Sequence, residues 1–396
     1  MDDAVATVSA GKAFLAAARS LAPLIEAEAS TAERAATLTE PVVEALKSAR
    51  LFWMMTPAEL GGGGLGAADS IEVIEELTRA DGSTGWALMA SAASTAVAVT
   101  YLDDRAVEAM YADVEPPIAA GMLGPGGRCV ETPQGLVGSG EYAFGSGCTH
   151  ATWIGAGMFV LENGAPRLLP NGAPEVQVCY LPRSRVELKG NWEVMGLAGT
   201  GSYDYRVPEQ LIDRAFTLER QSLTPKRGGP LYAMGIVGLG CAGHAAVALG
   251  LMKRALEEIA TITRAKKRPA YATVTGDSPL FLQEFAANEA AYRGVRGYVL
   301  EVFRDAEATL LSGGVLSAAQ RARFRQSTTW SHKVAADVVR FAHLWAGTDA
   351  IRAGSVLGRA MRDMYVATQH MFVDPMTMVD AGAVLAVEWA LKDRLA

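Results

Sequence analysis

Cysteine is scarce: Cys129, Cys148, Cys179 and Cys241 are widely spaced among 396 residues, with no Cys-x-x-Cys pair. That argues against a zinc site or a disulfide framework and fits a reducing cytoplasm. No apolar run is read as reaching the roughly 18 residues that span a bilayer. The opening Met1-Asp2-Asp3 is acidic where a secretory leader is basic. No His/Asp/Glu cluster has metal-ligand spacing, and no Rossmann fingerprint for a nicotinamide nucleotide is read. Excess positive charge is missing too. The formal net charge of −7 keeps the chain soluble and argues against nucleic acid or a membrane surface as partner.

What is present is a proline distribution that divides the chain. Three prolines precede residue 60, eleven lie between Pro116 and Pro230, and only Pro269, Pro279 and Pro375 follow. Proline removes a backbone donor and clashes with the preceding turn of a helix, so the ends should be helical and the middle not. N-terminal helices are expected at Ala13–Glu28, Pro41–Ser48, Ser70–Leu77 and Ser83–Ala98. Gly61 to Gly64 read as a turn, since no Gly-Lys-Ser/Thr follows to make a phosphate loop. Short β-prone runs such as Met158–Leu161 and Val176–Tyr180, each ended by a turn, suggest a β-barrel or sandwich. Long helical patterns at 235–264, 281–312, 316–346 and 355–371 suggest a four-helix bundle. The expected fold is α+β, mostly α: a helical domain over 1–115, a β domain over 116–220 and a helical bundle over 221–396.

Three groups of residues carry a resemblance. Pro57-Ala58-Glu59-Leu60-Gly61-Gly62 and Asp81-Gly82-Ser83-Thr84-Gly85-Trp86 come first. Phe144-Gly145-Ser146-Gly147-Cys148-Thr149-His150-Ala151-Thr152-Trp153 follows, then Trp192 with Gly196 to Ser202. Arg362-Asp363 and His370 close the series. In this order they resemble the acyl-CoA dehydrogenase superfamily over nearly the whole chain. The closest likeness is to its two-component flavin monooxygenases.

The dehydrogenase chemistry of that superfamily needs a carboxylate against the substrate. Dehydrogenases of the family carry a glutamate about eight residues after Arg-Asp; here Val366 to Phe372 contains no acid, and none occurs between Glu219 and Glu257. A histidine, His370, stands near the vacant place and titrates in a range suited to moving a proton. The resemblance implies an oxygenase component. It would take reduced FMN or FAD from a separate reductase, form a C4a-(hydro)peroxide with O2, and hydroxylate or epoxidise a small aromatic or heteroaromatic substrate. It further implies catalytic roles for His370 and Ser146, and flavin contacts from Ser146, Trp153, Thr200, Ser202 and Arg268. The Arg268 guanidinium, with Tyr271 three residues on, would reach a flavin phosphate across a subunit boundary. Trp86, Ser94 and Phe144 would meet substrate. Ser94 replaces a histidine common in relatives, and Ala198 an arginine. His150 reads as structural, orienting its loop. His343 is expected to be structural, and His244 and His332 fall in no motif. A homotetramer is implied, with Gly235, Gly238, Gly240 and Gly243 permitting close helix packing. The alternative is a flavin dehydrogenase or oxidase acting on a thioester or nitro compound, with Asp349 or Asp363 as base; a flavin-free assembly or binding protein is the non-enzymatic one.

Overall fold

Helices form where proline is rare, as its geometry requires. The computed structural model describes residues 2–269 and 272–392. The N-terminal part contains α1 (Asp2–Ala35), α2 (Glu40–Ser48), α3 (Ala67–Ala80), α4 (Gly82–Tyr101) and α5 (Asp104–Met110). Pro23 lies inside α1, so a single proline does not end that long helix. Asp81 starts α4 by accepting from Thr84 N at 2.8 Å and Thr84 Oγ1 at 2.9 Å. The Gly61–Gly64 run makes a turn tied back to Trp53 and Thr56.

The proline-rich middle contains β1 (Ala119–Thr132), β2 (Gly135–Gly145), β3 (Trp153–Glu162), β4 (Ala165–Pro166), β5 (Val176–Pro182), β6 (Glu187–Leu188), β7 (Tyr203–Ile212) and β8 (Thr217–Glu219). They form one sheet in the order β6-β7-β2-β1-β3-β5-β8, with β4 on β3. The expected barrel or sandwich is thus a single hydrogen-bonded path, with β1 and β3 parallel and the other pairs antiparallel. The β1–β3 register slips between Met122 and Pro125 and again before Gly127, because proline and glycine interrupt the ladder.

The C-terminal part contains α6 (Gly235–Ala265), α7 (Pro279–Leu311), α8 (Ala318–Ala346), α9 (Val356–Ala367) and α10 (Met376–Lys392). A reciprocal Ser317–Gln320 capping box begins α8. Two sequence expectations change here. The helix expected to run to 371 stops at Ala367: His370 turns to extended backbone (φ −73°, ψ 143°), and its side chain accepts the Phe372 N–H in place of a helical carbonyl. One helix, within Pro230–Ala265, is after all long and apolar enough to cross a membrane, but 83% of its most apolar window is buried among α3, α4, α8 and α9. It is a core helix.

The spacing Gly-x-Gly-x-x-Gly does occur twice, at 61–66 and 238–243. The first lies between helices and the second inside α6, so neither follows a strand as a nucleotide fingerprint would. Three of the α6 glycines expected to permit close helix packing do so within the chain. A Cβ at Gly238 would sit 3.2 Å from Phe324, one at Gly240 2.5 Å from Phe372, and one at Gly243 3.0 Å from Met89.

Candidate active site

A cavity of about 470 Å3 lies between α4, α6, the turn after α9 and the slipped part of β1. Trp86, Ala90, Ser94 and Val97 face it from α4, and Ile236, Gly240 and His244 from α6, each set at helical spacing. Among the described residues no aspartate or glutamate lines it.

One wall is made of hydroxyls. Ser146 accepts from Trp86 Nε1 at 3.0 Å and from Ser202 Oγ at 2.7 Å, and Ser202 is 2.7 Å from Thr200 Oγ1. With both contacts received, the Ser146 proton is left to donate into the cavity. Glycine lets the loops approach. Gly147 has φ +78°, and a Cβ there would lie 2.4 Å from Ser91 Oγ. Phe144 and Leu197 also hold left-handed φ values, 64° and 52°, which non-glycine residues seldom adopt. Phe144 is 61% exposed at the cavity edge, with Trp192 edge-on at 6.1 Å.

Asp363 holds this wall in place. Its buried carboxylate accepts Leu197 N–H at 2.6 Å. A Cβ on Gly82 would touch its other oxygen at 2.6 Å, and one on Gly196 would meet the Arg362 carbonyl at 2.3 Å. Gly199 N donates to Ser83 Oγ at 3.1 Å. Three motifs far apart in sequence therefore meet at one carboxylate. Burial pushes the Asp363 pKa up to about 7, helped by Asp81 and opposed by the Leu197 amide and Arg359.

The facing wall is made of imidazoles. His370 caps a short turn, its Nδ1 accepting Phe372 N–H at 3.2 Å. The neutral ring therefore carries its proton on Nε2. His244 stacks on it with centroids 3.8 Å apart, and Trp86 meets both rings edge-on. His332 lies behind, 6.5 Å from His244, its Nδ1 at 2.9 Å from Thr328 O. Burial lowers His370 to about 4, with His332 adding to the shift, and burial lowers His332 to about 4 as well. His244 is pushed well down by burial and by the other two. All three rings are thus neutral at physiological pH.

Seven of the residues expected at the site line one cavity: Trp86, Ser94, Phe144, Ser146, Thr200, Ser202 and His370. Ser94 pairs with Tyr180, whose hydroxyl donates to Ser94 O at 3.0 Å. Trp153 is not at the wall; strand alternation turns its ring onto Phe216, stacked at 5.4 Å. His150 also stands outside the lining, 3.3 Å from Ser91 Oγ and packed on Phe52. Arg268 donates to Trp345 O at 3.2 Å and covers the Trp345 ring, away from the cavity. Tyr271 lies outside the described residues. Neither alternative base reaches the cavity: Asp349 is paired with Lys266 at 2.7 Å, and Asp363 is engaged by Leu197. Sequence reasoning missed His244 and Arg220; neither stands in a motif, and only the i, i+4, i+8 spacing of Ile236, Gly240 and His244 could have pointed to the first.

The donor set suits a flavin ring. A planar heteroaromatic needs apolar faces and a hydrogen bond at its acceptor edge; Trp86, Met89 and Leu197 offer the first, and the free Ser146 proton the second. A phosphate is not provided for by Arg268 within one chain.

Residues 11–122 match the family model described as acyl-CoA dehydrogenase, N-terminal domain, and residues 242–375 match the acyl-CoA dehydrogenase C-terminal domain. An indole-3-acetate monooxygenase of Acinetobacter baumannii is 27% identical over 354 residues, covering 88% of this chain and 87% of the relative. The HsaA monooxygenase of Mycobacterium tuberculosis has a solved structure that superposes with a TM-score of 0.87 at 23% identity, covering 94% and 96% of the two chains. XiaF from Streptomyces, solved with FADH2, gives a TM-score of 0.87 at 18% identity, covering 96% and 97%.

Proposed function

This chain belongs to the acyl-CoA dehydrogenase family and is a flavin-dependent monooxygenase, and we propose that it is the oxygenase component of a two-component system. It takes reduced FMN or FAD from a separate reductase and hydroxylates or epoxidises a small aromatic or heteroaromatic compound. The observation that carries this reading is a cavity with a serine hydroxyl that accepts two hydrogen bonds on one wall, neutral histidine on the other and, among the described residues, no carboxylate between. Reduced flavin, when bound, supplies the two electrons with which dioxygen is split between product and water.

The protein's own work is positional. Ser146 donates to the ring edge, and Trp86 and Ser202 fix that hydroxyl. His370, protonated on Nε2, holds a hydrogen bond to oxygen beside the substrate and manages the proton that moves with it. The apolar helix faces of α4 and α6 keep water away from the reacting atoms. A dehydrogenase or oxidase would require a base that the cavity does not contain. We assign Arg268 to a flavin phosphate bound by a second copy of the chain, in a homotetramer. The exposed Met376, Val379, Val387 and Trp389 of α10 support assembly. Four free, buried cysteines suit a cytoplasmic setting.

The test is anaerobic loading with reduced FMN or FAD, followed by 18O2 in the presence of an indole or phenol. One labelled oxygen in the product is the expected result. Oxidation of an acyl-thioester by the oxidised flavoprotein without oxygen, and no labelled product, would overturn it.

A further inference from the structure

Among the described residues the cavity contains one charged side chain, Arg220, in an otherwise apolar and neutral lining. It is half-buried, and among the described residues no carboxylate lies within salt-bridge distance. Its Nε donates to Leu123 O at 3.0 Å, a carbonyl set free where the β1 ladder slips. That bond fixes the guanidinium and leaves both Nη groups unengaged. Burial pushes its pKa down, and the nearby Arg325 of α8 adds to that shift. Arg325, which stands outside the lining, has no carboxylate partner among the described residues either, so it does not supply Arg220 with a counter-ion by relay. A desolvated cation without a counter-ion is costly unless an anion arrives.

The position of this end is set by α6. A Cβ on Gly235 would lie 3.6 Å from Ser222 O, which places the segment after Arg220 beside the start of α6. His244 is nine residues, or two and a half turns, further along, about 13.5 Å at 1.5 Å per residue. The cation and the imidazole pair therefore mark opposite ends of the same space.

We propose that Arg220 anchors a carboxylate carried by the aromatic substrate, so that the enzyme acts on aryl- or heteroaryl-alkanoic acids; this rests on the oxygenase reading above. The two Nη groups present a planar fork that receives both carboxylate oxygens, and the ring then lies toward His370 and Ser146. A neutral phenol or thiophene would leave the guanidinium unpaired.

Calorimetric titration of the full chain with indole-3-acetate and with indole-3-acetamide tests this without any turnover. The acid should bind wild type about ten- to a hundredfold more tightly than the amide, the range of a charge-assisted contact. Arg220→Gln should abolish that preference while the amide binds as before, and Arg220→Lys should keep part of it. Equal affinity of wild type for acid and amide would overturn the proposal, and it needs no variant to fold. A variant that keeps the acid preference but loses its preference for FMN over riboflavin would also overturn it, since the anion would be the flavin phosphate. Acid preference in a protein that yields no labelled product would leave the anchor standing and remove the oxygenase reading instead.

Discussion

On the side of the cavity formed by the glycine-framed loops, the hydroxyls of Ser146, Ser202 and Thr200 are linked to one another and to Trp86. On the side formed by α6, α8 and the turn after α9, His244 Nδ1 and His332 Nε2 are buried with no hydrogen-bond partner among the described residues. A satisfied network stays in one arrangement; unpartnered ring nitrogens can take up or pass a proton at the cost of their desolvation. On the function proposed above, geometry falls to the serine wall and proton handling to the histidine wall.

The largest effect should come from removing His370, one of the two histidines that face the cavity. His370→Ala is expected to lower product formation roughly 10²- to 10⁴-fold, the size of a general acid–base contribution. Flavin affinity should hold, and the consumed reduced flavin should appear as hydrogen peroxide. Unchanged coupling of oxygen to product, measured as the ratio of product to peroxide, would reduce the histidine wall to packing.

Acid should expose the same wall. His332 and His370 are held near 4, below the ordinary 6.5, so the unfolded chain takes up their protons first. Their contribution is complete above pH 6.5 and is lost as pH falls from 6.5 toward 4, by up to about 3 kcal/mol per ring. Asp363, raised to about 7, runs the other way: its contribution is full below 3.8 and lost as pH rises through 7. Urea midpoints between pH 7 and 4.5 should fall, and His332→Gln should flatten the fall. A fall equally steep in wild type and in His332→Gln would show that the His332 ring is not held neutral.

The serine wall should respond least. Asp363→Ala leaves the Leu197 amide without its acceptor and should cost about 1–3 kcal/mol. Asp363→Asn retains an oxygen at that position and should recover most of the loss in a denaturation curve. If both substitutions were silent, the loop would be held by its other contacts, among them Gly199 on Ser83.

Much of this was readable beforehand. Proline counts separated helices from sheet because the ring's exclusion is local and steric. Ser146, Thr200 and Ser202 were readable because close loop approach demands glycine, and glycine leaves a pattern. His244 was not, since an imidazole in the run Gly243-His244-Ala245 gains its meaning only from His370, a partner brought to it by the tertiary fold. Arg220 was hidden for the same reason: what distinguishes it is the missing counter-ion, and sequence does not show which carboxylates come near. Trp153 stands outside the lining although it closes the same motif, because strand alternation sends neighbouring side chains to opposite faces.

Gly240 gives the site an indirect control. Phe372 rests against the bare α-carbon of Gly240, and the amide of Phe372 decides which nitrogen of His370 carries hydrogen. Adding one methyl at position 240 would shift the phenyl ring, loosen that amide and let the imidazole exchange tautomers. The reactivity of the pocket can thus be retuned from a residue that has no functional group at all. Narrowing the cavity at position 240 would therefore disturb the His370 tautomer at the same stroke.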